Sequence, residues 1–426
     1  MVKINIVDAR TYPNVVYTRD NLQSDIPSLE ITLRQGNLSE ISKNEGPFSL
    51  VTEKDGQVLV LRNSPGNPVY VTNDRSSLYV ANSLKELRNA MRDKFSYNNV
   101  RVVPSSHVAR FDGTDITFER FRDELPTTQV EMSLEDIAHQ LRMELTSAVT
   151  SMVEVDNGKK IAVLLSGGID SAAVAAVLLE HKEYLIAYTL DAGGNDLKNA
   201  RIVAKRLGIP LQVVPIDIDE MRSLLPRYVE SAEEYRPFVI DTVPGFYFLA
   251  RAASRDGIKV LFTGSAANEL FGDYHADSGY DVPLSGNVKQ TQRKLLIEGR
   301  KHDDPLYNLV LGSGLDRYGF TKPLMDFGIE SREPWGAFHV LQFGIQIPEH
   351  VLFDNGRHTK PDIARIAFPE IGIYPEKDRM GVGSGISSSF RSDYRINRAI
   401  FEKLFNIKID ERSHNEYLRA MKKTEC

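Results

Sequence analysis

Nine residues of this sequence decide its fold: Val163-Leu164-Leu165-Ser166-Gly167-Gly168-Ile169-Asp170-Ser171. The apolar run over residues 161–165 predicts a buried parallel strand, and the alanine-rich segment over residues 172–180 predicts a helix. The two glycines between them permit positive φ angles and close approach of the backbone. A lone Ser-Gly-Gly is more often a plain turn with a serine N-cap. The full string after an apolar strand instead favours an anion site, in which N–H groups and serine hydroxyls hold pyrophosphate and Asp170 holds a bridging Mg²⁺.

The chain from residue 160 onward alternates apolar strands with amphipathic helices. Further strands are predicted over residues 185–190, 211–216 and 259–262. Strict alternation is typical of a parallel sheet with right-handed crossovers. The last of these strands ends in Thr263-Gly264-Ser265, so two strands finish in hydroxyl-bearing and glycine residues at one carboxyl edge, where such sheets bind ligands. Residues 263–274 alone fit a capped helix start equally well; beside the first loop, they favour a nucleotide site. Beyond residue 277 the sequence is mainly helical.

The first 120 residues have a different pattern, with short β-like runs between turn residues. The runs cover residues 2–7, 48–52, 57–61, 68–72 and 77–81, and a helix is predicted near residues 83–91. A polar, proline-containing linker over residues 123–129 precedes an amphipathic helix that Ser133 caps and that ends near residue 153. We therefore predict an α/β protein with a β-rich domain over residues 1–122 and a parallel-sheet domain over residues 130–426.

Composition narrows the functional class. The 426 residues have a net charge of −6, so a general nucleic-acid binder is not expected. No apolar run approaches the roughly 20 residues of a membrane helix, and the N-terminus does not resemble a signal peptide. The single cysteine, Cys426, excludes an internal disulfide framework and a cysteine-ligated zinc site. A reducing, cytoplasmic compartment is the simplest expectation. The oligomeric state cannot be predicted.

Cationic residues form a third constellation. Lys360, Lys377 and Arg379 lie near or within the stretch that leads into the glycine- and serine-rich segment 380–389. Most lysines are simply solvated surface residues. Cations beside such a loop also suit a site that holds pyrophosphate and the charge that develops when an acyl-adenylate is attacked.

Taken together, these motifs resemble the asparagine synthetase superfamily. The resemblance rests on residues 166–171, 188–190, 200–208, 263–274 and 328–335. The first domain resembles the superfamily's glutaminase domain at residues 46–48, 66–70 and 80–87, and residues 380–390 are closer to the β-lactam synthetase branch. The resemblance implies an Ntn-hydrolase-like α+β domain, then a PP-loop, adenine nucleotide α hydrolase-like parallel sheet with a helical C-terminal part.

The resemblance also implies ATP and Mg²⁺ as cofactors and assigns site residues by matching position. Adenosine would contact Leu164, Leu190, Thr263 and Gly264, and the phosphates would contact Ser166, Gly167, Gly168 and Ser171. Asp170 and Asn268 match metal-binding positions. Lys360 and Lys377 match lysines that neutralise the phosphates and the acyl transition state, and Arg379 competes with Lys377 for its role.

Three departures from the superfamily pattern shape the functional prediction. The glutaminase needs a cysteine as its first mature residue, but Val2 follows Met1, so glutamine hydrolysis is not expected. Asn268 replaces the metal-binding aspartate with an uncharged oxygen ligand, which should weaken Mg²⁺ binding. Ser265 replaces a glutamate or tyrosine that acts as acid or base, and serine is a poor base near neutral pH. Tyr318, with Asp316 beside it, is the candidate substitute.

The leading hypothesis is an AMP-forming amide ligase that adenylates a carboxylate on a small molecule or peptide and couples it to an amine. Ring closure as in β-lactam synthetases or lasso peptide cyclases and intermolecular amidation all remain open, with natural-product biosynthesis as the setting. An asparagine synthetase that uses ammonia, a nucleotide-binding subunit that has lost catalysis, and acyl transfer to sulfur or oxygen are the alternatives.

Overall fold

The structure is a computed structural model. It describes residues 3–7, 17–18, 26–46, 48–63, 68–74, 77–96, 99–122, 128–153, 160–192, 195–271, 318–354, 357–372 and 390–409. The predicted α/β class is confirmed: a β-rich N-terminal part is followed by a parallel sheet and a helical C-terminal part. Among these residues, none of the helices combines the length and apolar character needed to span a bilayer.

The N-terminal part contains ten strands and three α-helices among its described residues. The strands are β1 (Lys3–Val7), β2 (Tyr17–Thr18), β3 (Asn44–Glu45), β4 (Ser49–Lys54), β5 (Gln57–Arg62), β6 (Tyr70–Asp74), β7 (Ser77–Ala81), β8 (Arg101–Val102), β9 (His107–Phe111) and β10 (Ile116–Arg120). The helices are α1 (Ile26–Gln35), α2 (Leu38–Ile41) and α3 (Leu84–Met91), and a 3₁₀ turn covers Arg92–Lys94. Helices α1 and α2 were not predicted from the sequence.

Two four-stranded sheets stack in this part. One has the order β1-β7-β6-β8 and the other β10-β9-β5-β4, with β1 and β7 parallel and the other pairs antiparallel. Strand β5 shows the expected period of two, because Val58 and Val60 pack against the first sheet while Leu59 and Leu61 face α1. The sequence predicts this strand from its unbroken apolar run over residues 58–61, which is typical of a strand buried on both faces.

The second part begins with α4 (Leu134–Met152), capped by Ser133, whose hydroxyl accepts the Asp136 N–H as predicted. The following elements are β11 (Ile161–Leu164), α5 (Ile169–Val177), a 3₁₀ segment (Leu178–Tyr184), β12 (Leu185–Asp191), α6 (Asn195–Leu207), β13 (Leu211–Pro215), α7 (Ile218–Ser223), α8 (Leu225–Ala232), α9 (Pro237–Ile240), α10 (Val243–Arg255), β14 (Val260–Phe262) and α11 (Ala267–Phe271).

After residue 317 the described elements are α12 (Tyr318–Asp326), β15 (Glu330–Arg332), a 3₁₀ turn (Pro334–Gly336), α13 (Phe338–Gln346), α14 (Glu349–Leu352), the hairpin strands β16 (Phe353–Asp354) and β17 (Arg357–His358), α15 (Lys360–Ala367), a 3₁₀ turn (Pro369–Ile371) and α16 (Tyr394–Phe405). The predicted helical character holds for these residues, whereas residues 272–317 lie outside the described part of the chain.

Five parallel strands form the central sheet in the order β13-β12-β11-β14-β15. Both faces are buried, since Ile161 and Val163 pack into the core beneath α4 and α5, and Ala162 and Leu164 pack into the opposite core. Strand β15 was not predicted, because two of its three residues are charged. Glu330 and Arg332 are instead buried as an ion pair, with Arg332 Nε 3.1 Å from Glu330 Oε1.

One predicted boundary is wrong at the central loop. The helix expected over residues 172–180 begins at Ile169 and ends at Val177, after which the chain tightens into a 3₁₀ segment. Gly168 is the extended residue before the helix, so Asp170 and Ser171 belong to the first helical turn. The alanine-rich composition marked the middle of this helix and not its start.

Candidate functional site

The order of the central strands reverses beside β11, and we refer to the carboxyl end of the sheet at this point as the crevice. Strand β11 lies between β12 and β14, and the chain runs outward from β11 in one direction for β12 and β13 and in the other for β14 and β15. Parallel sheets bind ligands where the strand order reverses, beyond the carboxyl ends of the two strands concerned. The loops that begin at Leu165 and Thr263 leave β11 and β14 at this point.

The two serines of the first loop hydrogen-bond within it. The Ser166 N–H donates to Ser171 Oγ (3.2 Å), the Gly168 N–H donates to Ser166 Oγ (3.3 Å), and Ser171 Oγ donates to the Gly168 carbonyl (3.1 Å). The two hydroxyl oxygens lie 3.2 Å apart. Ser166 is exposed and Ser171 is buried, so the loop presents one of its two predicted phosphate-binding hydroxyls to solvent.

Glycine is required at two positions of this crevice. Gly167 has φ +75°, and a Cβ there would lie 2.6 Å from Asn199 Cβ and from the Asp196 carbonyl oxygen of α6. A Cβ on Gly264 would lie 2.6 Å from the Ser171 backbone nitrogen. The loop after β14 therefore packs directly against the start of α5, and only glycine permits that approach.

The second loop is short and strained. The Ser265 N–H donates to Thr263 Oγ1 (3.3 Å), and Ala266 has φ +78°, a conformation that side-chain-bearing residues rarely adopt. Helix α11 begins at the next residue, and it carries Asn268 toward the first loop. Backbone strain of this kind is concentrated at functional sites.

Lys360 joins the two loops. Its Nζ lies 2.7 Å from Asp170 Oδ1 and donates to Asn268 Oδ1 at 2.7 Å. The lysine side chain is 3 % exposed and the Asp170 side chain 22 % exposed, so the ammonium is buried while the carboxylate reaches solvent. The structure thus brings together Asp170, Asn268 and Lys360, which are far apart in sequence.

A histidine positions the helix that carries this lysine. The Lys360 N–H donates to His358 Nδ1 (3.1 Å), and His358 Nε2 lies 2.8 Å from the Phe271 carbonyl oxygen, which can only accept. The ring is therefore neutral with its proton on Nε2, since one nitrogen accepts and the other donates. His358 ties the start of α15 to the end of α11.

Trp335 makes the matching tie to α5. Its Nε1 donates to the Asp170 carbonyl oxygen (3.1 Å), and its ring packs edge-on against Phe271 with centroids 5.8 Å apart. Sequence reasoning missed both His358 and Trp335. Trp335 could have been noticed only through its place in the motif over residues 328–335. Nothing in the sequence around His358 distinguishes it from an ordinary core or surface histidine.

Of the remaining predicted site residues, some have described side chains and others do not. Leu164, Leu190 and Thr263 are buried at the ends of the central strands, and Ser265 is half-buried at the turn after β14. Tyr318 is the first residue of α12, but its side chain lies outside the described part. Lys377, Arg379, Asp316 and the segment 380–389 also lie outside it. The role of each predicted site residue stays a prediction.

The described residues on either side of positions 373–389 are firmly held. Arg206 Nη1 donates to the Ile371 carbonyl oxygen (3.0 Å), and Asp241 accepts the Ser392 N–H (2.8 Å) and hydroxyl (2.7 Å). Burial raises the pKa of the Asp241 carboxyl, and the Ser392 hydrogen bonds offset this only in part. Ile371 is therefore tied to α6, and Ser392 is tied to the residue that follows α9.

Metal ligands are sparse across the described ranges. They contain no cluster of three or more histidine, cysteine, aspartate or glutamate side chains that could hold a metal ion. Of the described side chains that contact Lys360 Nζ, Asp170 offers a carboxylate and Asn268 an amide oxygen.

Comparison with known proteins identifies the region that holds the crevice. Residues 140–303 match the sequence model of the asparagine synthase family. This part of the chain is similar to asparagine synthase domains. The match includes the Ser166–Ser171 loop, Gly264 and Asn268, whereas Lys360 completes the crevice from beyond it.

Individual relatives agree with this assignment. Asparagine synthetase B, a glutamine-hydrolyzing enzyme of Escherichia coli, is 24 % identical over 364 residues, which are 80 % of this chain and 61 % of that protein. A Mycobacterium bovis protein that carries an asparagine synthetase name is 30 % identical over 188 residues, 43 % of this chain and 26 % of its own length. The matches thus span about a quarter to three-fifths of these two relatives.

A solved structure is also similar to the chain. NMN synthetase from Francisella tularensis matches at a TM-score of 0.26 with 15 % identity, covering 58 % of this chain and 100 % of that one.

Proposed function

We propose that the chain is an ATP-dependent, AMP-forming amide ligase. The observation that carries this proposal is the meeting of the Ser166–Ser171 loop, Gly264 and Lys360 at the switch point of a parallel sheet, within and beside an asparagine synthase domain. A glycine-rich turn at a helix start next to a buried cation suits a polyphosphate. The resemblance of most of the chain, from about residue 46, to ATP-using synthetases supports ATP as that ligand.

The proposed reaction has two steps. A substrate carboxylate oxygen attacks the α-phosphorus of ATP, the bond from that phosphorus to the bridging oxygen breaks, and pyrophosphate leaves with that oxygen. An amine nitrogen then attacks the acyl carbon of the adenylate, the bond to the phosphate oxygen breaks, AMP leaves, and the nitrogen loses a proton. Activation is needed because a carboxylate is a poor acyl donor to an amine at neutral pH.

The proposal assigns the predicted site residues to distinct parts of this reaction. In the proposal, Leu164, Leu190, Thr263 and Gly264 contact adenosine, and Ser166, Gly167, Gly168 and Ser171 contact phosphates. Lys360 stabilises the negative charge on the phosphate groups as pyrophosphate separates. Mg²⁺ accompanies ATP as its phosphate complex. Lys377, Arg379, Ser265 and Tyr318 are the candidates for the acyl-transfer step.

The nitrogen donor in this proposal is an amine or ammonia, and not glutamine. The sequence contains one cysteine, Cys426, so its N-terminal sheets carry no thiol that could attack a glutamine amide. The carboxylate belongs to a small molecule or a peptide. Ring closure within one molecule and joining of two molecules are both compatible with the crevice, and asparagine formation from ammonia is the simplest intermolecular case.

The test is to incubate the purified chain with ATP, Mg²⁺ and panels of amino-bearing carboxylates, and to quantify the nucleotide products. We expect AMP and pyrophosphate in equal amounts, together with an amide product whose mass is one water below the summed mass of the acid and amine that form it. ADP and phosphate as the only products would refute an adenylating ligase. Lys360→Met should abolish AMP formation, whereas the matched control Lys205→Met, at an exposed position of α6, should not change it.

A second candidate is a nucleotide-binding subunit without catalysis. It is favoured by Asn268 and Ser265, which stand where the superfamily pattern has charged or acid–base residues. ATP binding without turnover, unchanged by Asn268→Asp and by every carboxylate tried, would support this alternative.

A further inference from the structure

The crevice places one ammonium where two metal ligands were predicted. Asp170 Oδ1 and Asn268 Oδ1 each lie 2.7 Å from the same atom, Lys360 Nζ. A divalent ion that shared these two oxygens would lie close to a buried positive charge, and the two cations would repel each other strongly. The residues present therefore do not fit a metal ion held between Asp170 and Asn268.

The charges of the three residues match each other. A lysine that is 3 % exposed needs an opposite charge, and Asp170 supplies one. Asn268 adds a hydrogen-bond acceptor without adding charge, so the charges of these three residues sum to zero. An aspartate at position 268 would leave one net negative charge beside the loop, which would favour a cation from solvent.

Hydrogen bonds with His358 and Trp335 also fix the backbone around Lys360 and Asp170. His358 holds the Lys360 backbone N–H and the end of α11, and Trp335 holds the Asp170 carbonyl oxygen. These ties set the distance between α5, α11 and α15, the three helices that contribute the charged and polar groups. The bridging position of the ammonium is thus built into the packing and does not depend on a flexible side chain alone.

We propose that the Lys360 ammonium is the built-in cation of this crevice and replaces a metal ion at the Asp170–Asn268 position. Divalent ions then reach the crevice only as complexes with a nucleotide. The claim about the metal position rests on the geometry alone. The claim that the ammonium meets nucleotide phosphates rests on the proposed function.

The first experiment titrates the full chain with Mn²⁺ in the absence of nucleotide and measures bound ion by electron paramagnetic resonance. The wild-type chain should bind Mn²⁺ at least about tenfold more weakly than an Asn268→Asp/Lys360→Met double variant, which has two carboxylates and no ammonium. Asp170→Asn should leave the wild-type titration unchanged. Lys205→Met serves as the control for loss of a lysine elsewhere.

Tight binding of one Mn²⁺ by the wild-type chain, abolished by Asp170→Asn, would overturn the proposal. If the double variant does not fold, as judged by its thermal transition, the wild-type and Asp170→Asn titrations decide the question on their own. No Asp170-dependent ion in the wild type supports the proposal, and an Asp170-dependent ion contradicts it.

The second experiment compares nucleotide affinity in Mg²⁺ and in EDTA. Because the ammonium is already present, the wild-type affinity for ATP should fall by less than about tenfold without Mg²⁺, and that of Lys360→Met by more. A larger loss for the wild type would contradict the phosphate role of Lys360. A wild type that binds no ATP under either condition would refute the proposed function while leaving the Mn²⁺ result intact.

Discussion

Two buried lysines of this chain have opposite surroundings. Lys322 on α12 pairs with Glu233, whose carboxylate also accepts the Ser83 hydroxyl (2.7 Å) and the Lys85 N–H (3.2 Å) from the N-terminal part. The Lys322 ammonium lies 5.3 Å from the centre of the Tyr70 ring. Protein groups surround both charges, with 6 % and 3 % of the two side chains exposed.

Lys360 is as buried as Lys322, but its partner is not. The Asp170 carboxylate is 22 % exposed, and the second acceptor is a neutral amide. Glycine-lined loops adjoin this pair, whereas packed helices and strands enclose the other. The difference indicates that the Lys322 pair ties the N-terminal part to α8 and α12, whereas the Lys360 pair includes a carboxylate that solvent can reach.

The largest expected effect comes from breaking the enclosed pair. Lys322→Met should lower the free energy of unfolding by about 3–5 kcal/mol, because it leaves the Glu233 charge buried without its cation. Urea unfolding measures this loss. The double variant Lys322→Met/Glu233→Gln should recover part of it. Equal losses in the single and double variants would mean that the buried charge of Glu233 is not the cause.

Breaking the ligand-facing pair should cost less stability and more activity. Lys360→Met should lower the free energy of unfolding by about 1–3 kcal/mol, since water can solvate the Asp170 carboxylate. Lys360→Met should also abolish AMP formation. Lys322→Met should keep measurable AMP formation when activity is expressed per amount of folded protein. Activity that tracked stability in both variants alike would remove the distinction between the two lysines.

The two pairs also differ in how far the sequence predicts them. The Ser166–Ser171 string predicted its own strand, turn and helix because glycine, serine and alanine act through local rules. Lys360 was found by motif, but its contact with Asn268 depends on the packing of α11 and α15. Lys322 and Glu233 lie in no motif, and β15 escaped notice because buried charges reverse the usual polarity pattern. Such long-range pairings leave no local periodicity to detect.

A third buried pair, His339 and Glu45, should make the stability of the chain depend on pH. His339 Nδ1 lies 2.9 Å from Glu45 Oε1, and Nε2 lies 3.2 Å from the Glu144 carbonyl oxygen, so both ring nitrogens face acceptors. Burial lowers the pKa of His339, but the Glu45 hydrogen bond and charge outweigh it and the net pKa is raised. Burial raises the pKa of Glu45, but His339 and Arg122 outweigh it and the net pKa is lowered.

This pair should stabilise the chain most between about pH 4.5 and 6.5, the ordinary pKa values of the two groups. The raised His339 pKa contributes stability below pH 6.5 that is lost as pH rises through the folded-state value. The lowered Glu45 pKa contributes stability above pH 4.5 that is lost as pH falls through its folded-state value. The melting temperature of the wild type minus that of His339→Gln should peak in this window by about 2–4 °C. A flat difference curve would contradict the coupling.

The smallest expected effect lies in the strained loop beside Lys360. Ala266 has φ +78°, a conformation that destabilises the folded chain by about 1–2 kcal/mol when the residue is alanine. Glycine avoids this strain, but it loses more conformational entropy on folding, which offsets part of the gain. Ala266→Gly should therefore raise the free energy of unfolding by about 0.5–1 kcal/mol. The adjacent control, Ala267→Gly in α11, should lower it by about 1 kcal/mol, since glycine is a poor helix residue.

Activity decides what the strain at Ala266 does. If the strained turn holds Asn268 against Lys360, Ala266→Gly should stabilise the chain and yet slow AMP formation, because a freer turn fixes the amide less well. A variant that is more stable and equally active would show that the strain is incidental to the crevice. Glu233 of the enclosed pair also has a positive φ, +50°, so it offers a second site for the same comparison. Glu233→Gly would remove both the charge and the strained side chain there, and its net loss of stability should exceed any gain from relieved strain, the reverse of the result expected at Ala266.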